Sequence, residues 1–177
     1  MRRPARPSAV ADPSSPEAAY AAALKKLARQ PQSRAALAQK LVRQGFDAEA
    51  VEAALDRAQG DGYLDDQEFA HSLVRRRSAT RGYGLIAREL RAKGIEDSSA
   101  APALETVDRE AEAAQALELG RSMLLRRPPS DLKALQALVG PRLSRRGFDS
   151  GLIYRVCRQL ADDWQASRRF DSPSERD

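Results

Sequence analysis

The chain has 177 residues, with 30 Lys and Arg against 25 Asp and Glu, 5% aromatics and a pI near 9.7. A single cysteine excludes an internal disulfide and a cysteine-held zinc. No apolar run approaches the roughly 18 residues that a membrane span needs.

Abundant Ala, Leu, Arg and Glu with few aromatics favour helices over a β-sandwich. The modest cationic surplus suits nucleic acid or an acidic protein partner. The opening stretch, MRRPARPSAVADPSSP, has no apolar core and reads as a disordered Arg/Pro/Ser-rich arm over 1–16 rather than a secretory signal. A helix is expected at about 17–30, with Ala23, Leu24 and Leu27 on its apolar side. Next comes Leu37, then Leu41-x-x-x-Gly45-Phe46, and then Leu55 ten residues after the glycine. Gly45 can take the left-handed conformation that ends a helix, and Phe46 then folds back on Leu41. Asp47 is placed to cap the helix that follows.

The stretch GYLDDQEFAHSLVRRRSATRGYG opens the second repeat, 61–107. Asp65-x-x-Glu68 reads as a capping box, and Leu64 with Phe69 as a hydrophobic staple, at the start of a helix over about 66–80. The same corner returns as Ile86, Leu90-x-x-x-Gly94-Ile95 and Leu104. The helix after it is expected to begin near Ser98 or Ser99, which would leave Pro102 in its first turn. The third repeat, 108–166, starts with a helix over about 108–127 and breaks at Pro128 and Pro129. Ser130 or Asp131 then starts a helix carrying Val139, Leu143-x-x-x-Gly147-Phe148, and Asp149 and Cys157 follow. Cys157 aligns with Leu55 and Leu104, so a buried structural thiol is expected, and Trp164 falls on the inner face of the last helix. Residues 167–177 read as a disordered tail. The glycines recur at 49 and 53 residues, a repeat-protein period. The expected fold is all-α: an elongated tandem array of three three-helix repeats, about nine helices, with the first repeat over 17–60.

Charge is segregated along the chain. Residues 75–93 carry seven cations and one acid, 94–120 seven acids and one cation, and 121–146 again seven cations and one acid. Arg77 and Arg81 are four apart and Arg88 and Arg91 three apart, spacings that share a helix face, as do Arg142, Arg145 and Arg146. Helix-dipole complementarity explains one or two cations at a helix end, not Arg75, Arg76, Arg77 and Arg81 together. These residues, with Lys93, are the candidate partner or nucleic-acid contacts. The forked guanidinium suits phosphate or carboxylate. The competing reading is that the acidic block neutralises its basic neighbours within the molecule.

Other chemistries find little support. Gly82-Tyr83-Gly84 lacks the remaining elements of a phosphate loop and reads as a helix start. The single histidine, His71, has no nearby metal-ligand partner. Asp65-Asp66 and Asp162-Asp163 are sequence neighbours that point about 100° apart on a helix. Tyr63 and Tyr83 flank the basic helix and could stack on bases, although packing is the plainer role for Tyr63. A helix-turn-helix reading head fits less well than a stacked array, because the corner recurs three times.

In GYLDDQEFA (62–70) and RGYGLIARELRAKGI (81–95) the sequence closely resembles the RecX family of bacterial recombination regulators. The central motif residues are Asp65, Asp66, Phe69, Arg76, Gly82, Leu90 and Gly94. The likeness extends more weakly over about 18–165. It implies tandem three-helix repeats and a cytoplasmic, non-enzymatic protein without a cofactor. Such proteins bind the RecA filament on single-stranded DNA, restrain its ATPase, strand-exchange and coprotease activities, and bind DNA to some degree. A monomer is the default. Gly45, Gly94 and Gly147, with Leu64, Asp65, Glu68 and Phe69, are expected to be structural.

Overall fold

The computed structural model describes residues 12–170, with side chains to residue 167. Among these residues the chain forms nine helices and no strand. They are α1 (Pro16–Leu27), α2 (Arg34–Gln44), α3 (Ala48–Gly60), α4 (Asp66–Ser78), α5 (Tyr83–Ala92), α6 (Asp97–Glu105), α7 (Arg109–Arg126), α8 (Leu132–Arg145) and α9 (Ser150–Phe170). The expected arm over residues 1–11 and the expected tail over 171–177 lie outside the described residues. The chain divides into two compact units, whose boundaries fall within α4, α5 and α6. The first holds the described residues up to 73 together with 89–103, and the second holds 74–88 and 104 onward.

In the first unit α1, α2 and α3 pack on one another around Ala19, Ala23, Leu37, Leu41, Phe46, Val51, Leu55 and Leu64. The inward face of α1 is alanine, and such small side chains let two helices lie close together. In the second unit α7, α8 and α9 enclose Ala116, Leu135, Val139, Leu143, Phe148, Leu152, Val156 and Leu160. Gly120 on α7 makes room there, because a Cβ at that position would stand 2.5 Å from the Leu160 side chain. Cys157 is buried and unbridged, and Trp164 packs against the same core.

The three Gly corners form as the spacing requires. Gly45, Gly94 and Gly147 have φ of 108°, 71° and 88°. Beyond each, the amide of Phe46, Ile95 or Phe148 donates to the carbonyl of Leu41, Leu90 or Leu143 at 3.3, 3.1 and 3.3 Å. Each apolar residue is buried, so chain reversal and core formation are one event.

Several local expectations are corrected. Asp149 caps α9 by accepting from Leu152 N–H at 2.8 Å, whereas Asp47 in the same sequence setting makes no side-chain cap bond. The Asp47 N–H is engaged instead by the Pro13 carbonyl at 2.9 Å. α6 starts at Asp97, before Ser98 and Ser99, so Pro102 lies inside the helix, on its exposed side. α4 ends at Ser78, which leaves Arg81 beyond the helix although its N–H still reaches the Arg77 carbonyl at 2.9 Å. Tyr63 does not pack: it is 60% exposed.

Candidate partner-binding surface

The basic surface of the second unit is assembled where the start of α5 meets the corner between α8 and α9. The Gly82 N–H donates to the Arg146 carbonyl at 2.8 Å, and the Gly84 N–H donates to the Gly147 carbonyl at 3.0 Å. A Cβ on Gly82 would lie 2.6 Å from the Gly147 carbonyl carbon, so this approach requires glycine. The contact joins the chain just after Arg81 to the chain at Arg145 and Arg146. The two basic blocks, far apart in sequence, therefore meet through their backbones. Arg75, Arg76, Arg88, Arg142, Arg145 and Arg146 are exposed, and Arg77 and Arg81 are partly buried. The Arg88 and Arg142 side chains are anchored on their own helices. Arg88 Nε donates to the Gly84 carbonyl at 3.2 Å, and an Arg142 nitrogen donates to the Leu138 carbonyl at 2.7 Å.

Buried charge holds this junction. Glu112 on α7 is 6% exposed, accepts from the Tyr83 N–H at 2.7 Å and pairs with Arg109 at 3.0 Å. It thus satisfies an amide at the amino end of α5. The Arg109 guanidinium lies over the Tyr83 ring at 4.0 Å, so Tyr83 already has a cation–π partner within the fold.

Arg91 and Lys93 belong to the first unit. Arg91 faces Asp97 at 3.9 Å, and both side chains are largely exposed, a pair of little energetic weight. Lys93 has an internal role. Its carbonyl accepts from Ser33 Oγ at 2.6 Å, and its ammonium stands 5.9 Å from the centre of the Phe69 ring. The structural motif sits here as well. Leu64 and Phe69 are buried, and Asp65 accepts from the Gln67 and Glu68 amides at 2.8 and 3.0 Å.

Asp66, the first residue of α4, accepts from the Arg34 N–H at 2.8 Å, so α4 completes the amino end of α2. Burial pushes the Asp66 carboxyl above the ordinary aspartate range, against the opposing pull of Arg34. Arg34 itself is gripped by Glu52 at 2.6 Å, Asp56 at 2.8 Å and Gln59 at 3.2 Å. Sequence reasoning missed Arg34, Arg109 and Glu112 because the contacts that give them a role, to Asp66 and to Tyr83, are distant in the chain. A register signal did exist: Arg34, Tyr83 and Leu132, the first residues of α2, α5 and α8, are spaced by 49 residues.

A groove of about 680 Å³ beside this network is lined by Arg34, Glu52, Asp65, Asp66 and Glu96 among others. Among the described residues no group of three His, Cys, Asp or Glu could hold a metal ion, and no helix is long and apolar enough to cross a membrane.

Fold and surface together define a tandem three-helix protein whose most distinctive surface is an arginine-rich junction of backbones. Residues 19–57 match the model of the first three-helix domain of RecX, and residues 65–104 match the second. The chain belongs to the RecX family. It is 37% identical to the regulatory protein RecX of Mycobacterium sp. (strain KMS) over 157 residues, 85% of each chain. It is 35% identical to that of Thermobifida fusca (strain YX) over 168 residues, 90% of each. Among solved structures, RecX from Lactobacillus salivarius superposes with a TM-score of 0.76 at 23% identity, over 85% of this chain and 98% of that one. A crystal structure of a regulatory protein RecX gives 0.73 at 27% identity, over 84% and 73%. Both relatives are named as regulatory proteins.

Proposed function

We propose that this protein binds the RecA filament on single-stranded DNA in the cytoplasm, as a monomer. Bound there, it restrains ATP turnover, strand exchange and coprotease activity. Membership of a family of regulatory proteins supports the regulatory part of this reading. The observation that supports the contact surface is the Gly82–Arg146 backbone hydrogen bond, which brings two arginine-rich stretches of the chain together. Such a face suits phosphates and carboxylates, the charged groups that a nucleoprotein filament displays. The three repeats over 17–60, 61–107 and 108–166 serve as the framework. The contacts assigned to Arg75, Arg76, Arg77, Arg81, Arg88, Arg142, Arg145 and Arg146 act together, with Arg91 and Lys93 secondary.

The test is DNA-dependent ATP turnover by RecA filaments, titrated with the protein. The expected result is inhibition at micromolar concentration. Arg76→Glu, Arg145→Glu and Arg146→Glu combined should weaken it at least about tenfold, since opposed charge at an interface costs affinity. These three residues are exposed, so the thermal midpoint should stay close to the wild-type value. Unchanged turnover with the wild-type protein rejects the proposal. If turnover is unchanged while bare single strands bind tightly with a steep salt slope, the chain is a general nucleic-acid binder.

A further inference from the structure

The sequence contains no asparagine and a single Asp–Gly pair, Asp61–Gly62, which follows the end of α3. An aspartate before glycine is an open setting for one backbone reaction, because glycine has no Cβ to screen its nitrogen. That nitrogen attacks the carboxyl carbon of the preceding side chain. A new C–N bond forms, the nitrogen gives up its proton and the carboxyl its hydroxyl, and one water leaves behind a five-membered succinimide. Water then adds back. Where it adds at the former backbone carbonyl, the original peptide C–N bond breaks and the chain continues through the side-chain carbon as isoaspartate. Water is the only co-reactant, and the mass is unchanged.

This turn is open to solvent, yet its reacting groups are held. Asp61 and Gly62 are exposed, Gly62 has φ +75°, and nothing lies within 4 Å of a Cβ placed on it. The Asp61 carboxylate accepts from the Tyr20 hydroxyl of α1 at 2.5 Å and faces Arg57 Nε at 3.6 Å. The Arg57 guanidinium lies over the Tyr20 ring at 4.3 Å, so the three side chains form one clamp. The bond to Asp61 is the main cause that holds the Tyr20 hydroxyl above the ordinary tyrosine range, so the donor keeps its proton. The Gly62 N–H is engaged as well, donating to the Gln59 carbonyl at 3.0 Å.

We propose that Asp61–Gly62 is a modification site, the point at which this chain isomerises to isoaspartate, and that Tyr20 and Arg57 hold it shut. The consequence lies just downstream. The Tyr63 and Leu64 amides both donate to the Ala58 carbonyl, at 2.9 and 3.2 Å, and Leu64 is buried. Isoaspartate inserts one backbone carbon between Ala58 and these amides. It thereby displaces Leu64 and, beyond it, the Asp66 carboxylate that meets Arg34. Neither a filament nor a nucleic acid enters the argument, so the site stands apart from the filament reading.

The experiment ages the full-length protein at pH 7 and 37 °C in oxygen-18 water. Succinimide hydrolysis then leaves one heavy oxygen in the tryptic peptide 58–75, AQGDGYLDDQEFAHSLVR, and chromatography separates its isoaspartate isomer. The wild type should label slowly when native and much faster in urea. Tyr20→Phe should label about fivefold faster than native wild type, the scale of one lost hydrogen bond. Asp61→Glu should abolish the label, which assigns it to this residue rather than to Asp65 or Asp66. Glu112→Ala, which weakens the second unit instead, should leave the native rate unchanged. Equal rates in Tyr20→Phe and wild type overturn the proposal, as does a label that survives Asp61→Glu. Equal acceleration by Glu112→Ala also overturns it, since global opening rather than the clamp would then control the site.

Discussion

Replacing Gly147 by alanine tests the junction on which the basic surface depends. Gly147 has φ +88°, and a Cβ there would lie 2.8 Å from Leu85 Cα and closer still to the Leu85 N and Cβ atoms. The left-handed conformation alone costs an L-residue about 1–2 kcal/mol. The obstacle is backbone, so the start of α5 must also withdraw. That weakens the Gly82–Arg146 and Gly84–Gly147 hydrogen bonds, each contributing about 1 kcal/mol. The expected loss is therefore about 3–4 kcal/mol. Gly62→Ala is the internal control: its φ is +75° but nothing lies within 4 Å of the added methyl, so only about 1–2 kcal/mol should be lost. Urea unfolding followed by far-ultraviolet circular dichroism measures both, and amide hydrogen exchange at Gly82 and Gly84 should accelerate in Gly147→Ala alone. Equal destabilisation by the two substitutions, or unchanged exchange at those amides, would refute the reasoning.

Glu112→Ala removes a buried carboxylate with two donors and should cost about 2–3 kcal/mol, with Glu112→Gln recovering part of it, as read by thermal melts. Asp66 has a folded-state pKa raised above its unfolded value, so its contribution to stability is fullest below the unfolded pKa and is lost as pH rises through the folded one. Against an Asp66→Asn variant, the wild type should therefore gain relative stability as melts move from pH 6 toward pH 3; a relative loss would contradict the raised pKa. Burial holds the Cys157 thiol above the ordinary cysteine range, so a disulfide reagent at pH 8 should react slowly with the native protein and rapidly in urea. Gly60→Ala, at a helical position with open space around it, should stabilise by about 0.5–1 kcal/mol in the same urea series.

The parts legible in the sequence were those whose causes lie within a few residues. The spacing of Leu41, Gly45 and Phe46 encodes a corner because all its partners fall within one turn and its exit. The Asp65 cap and the inward face of Val139 and Leu143 are equally local. Asp47 and Asp149 mark the limit: both follow a Gly-Phe corner, yet the Pro13 carbonyl engages the Asp47 amide and no side-chain cap forms there. The placement of α6 was missed for a related reason, since proline on an exposed helix side displaces nothing in the core. The basic blocks were visible as composition, but their meeting was not, because Gly82 finds Arg146 sixty-four residues later. Asp66 and Glu112 looked like ordinary acids near helix starts. Only their distant acceptor roles distinguish them.

The carboxylate that completes α2 has a consequence for how the chain matures on the ribosome. When α1 to α3 have emerged, Asp66 and Lys93 are still to come, so Arg34 N–H and the Ser33 hydroxyl remain wetted by solvent. The first bundle can collapse around Leu37 and Leu41, and Ser33 caps the Ala36 N–H locally, but the Arg34 amide waits for its carboxylate until the following segment is released. The same delay recurs at α5, which waits for Glu112 and then for the carbonyl of Arg146. The middle helices α2 and α5 thus each gain their last amino-end contacts only from the repeat that follows.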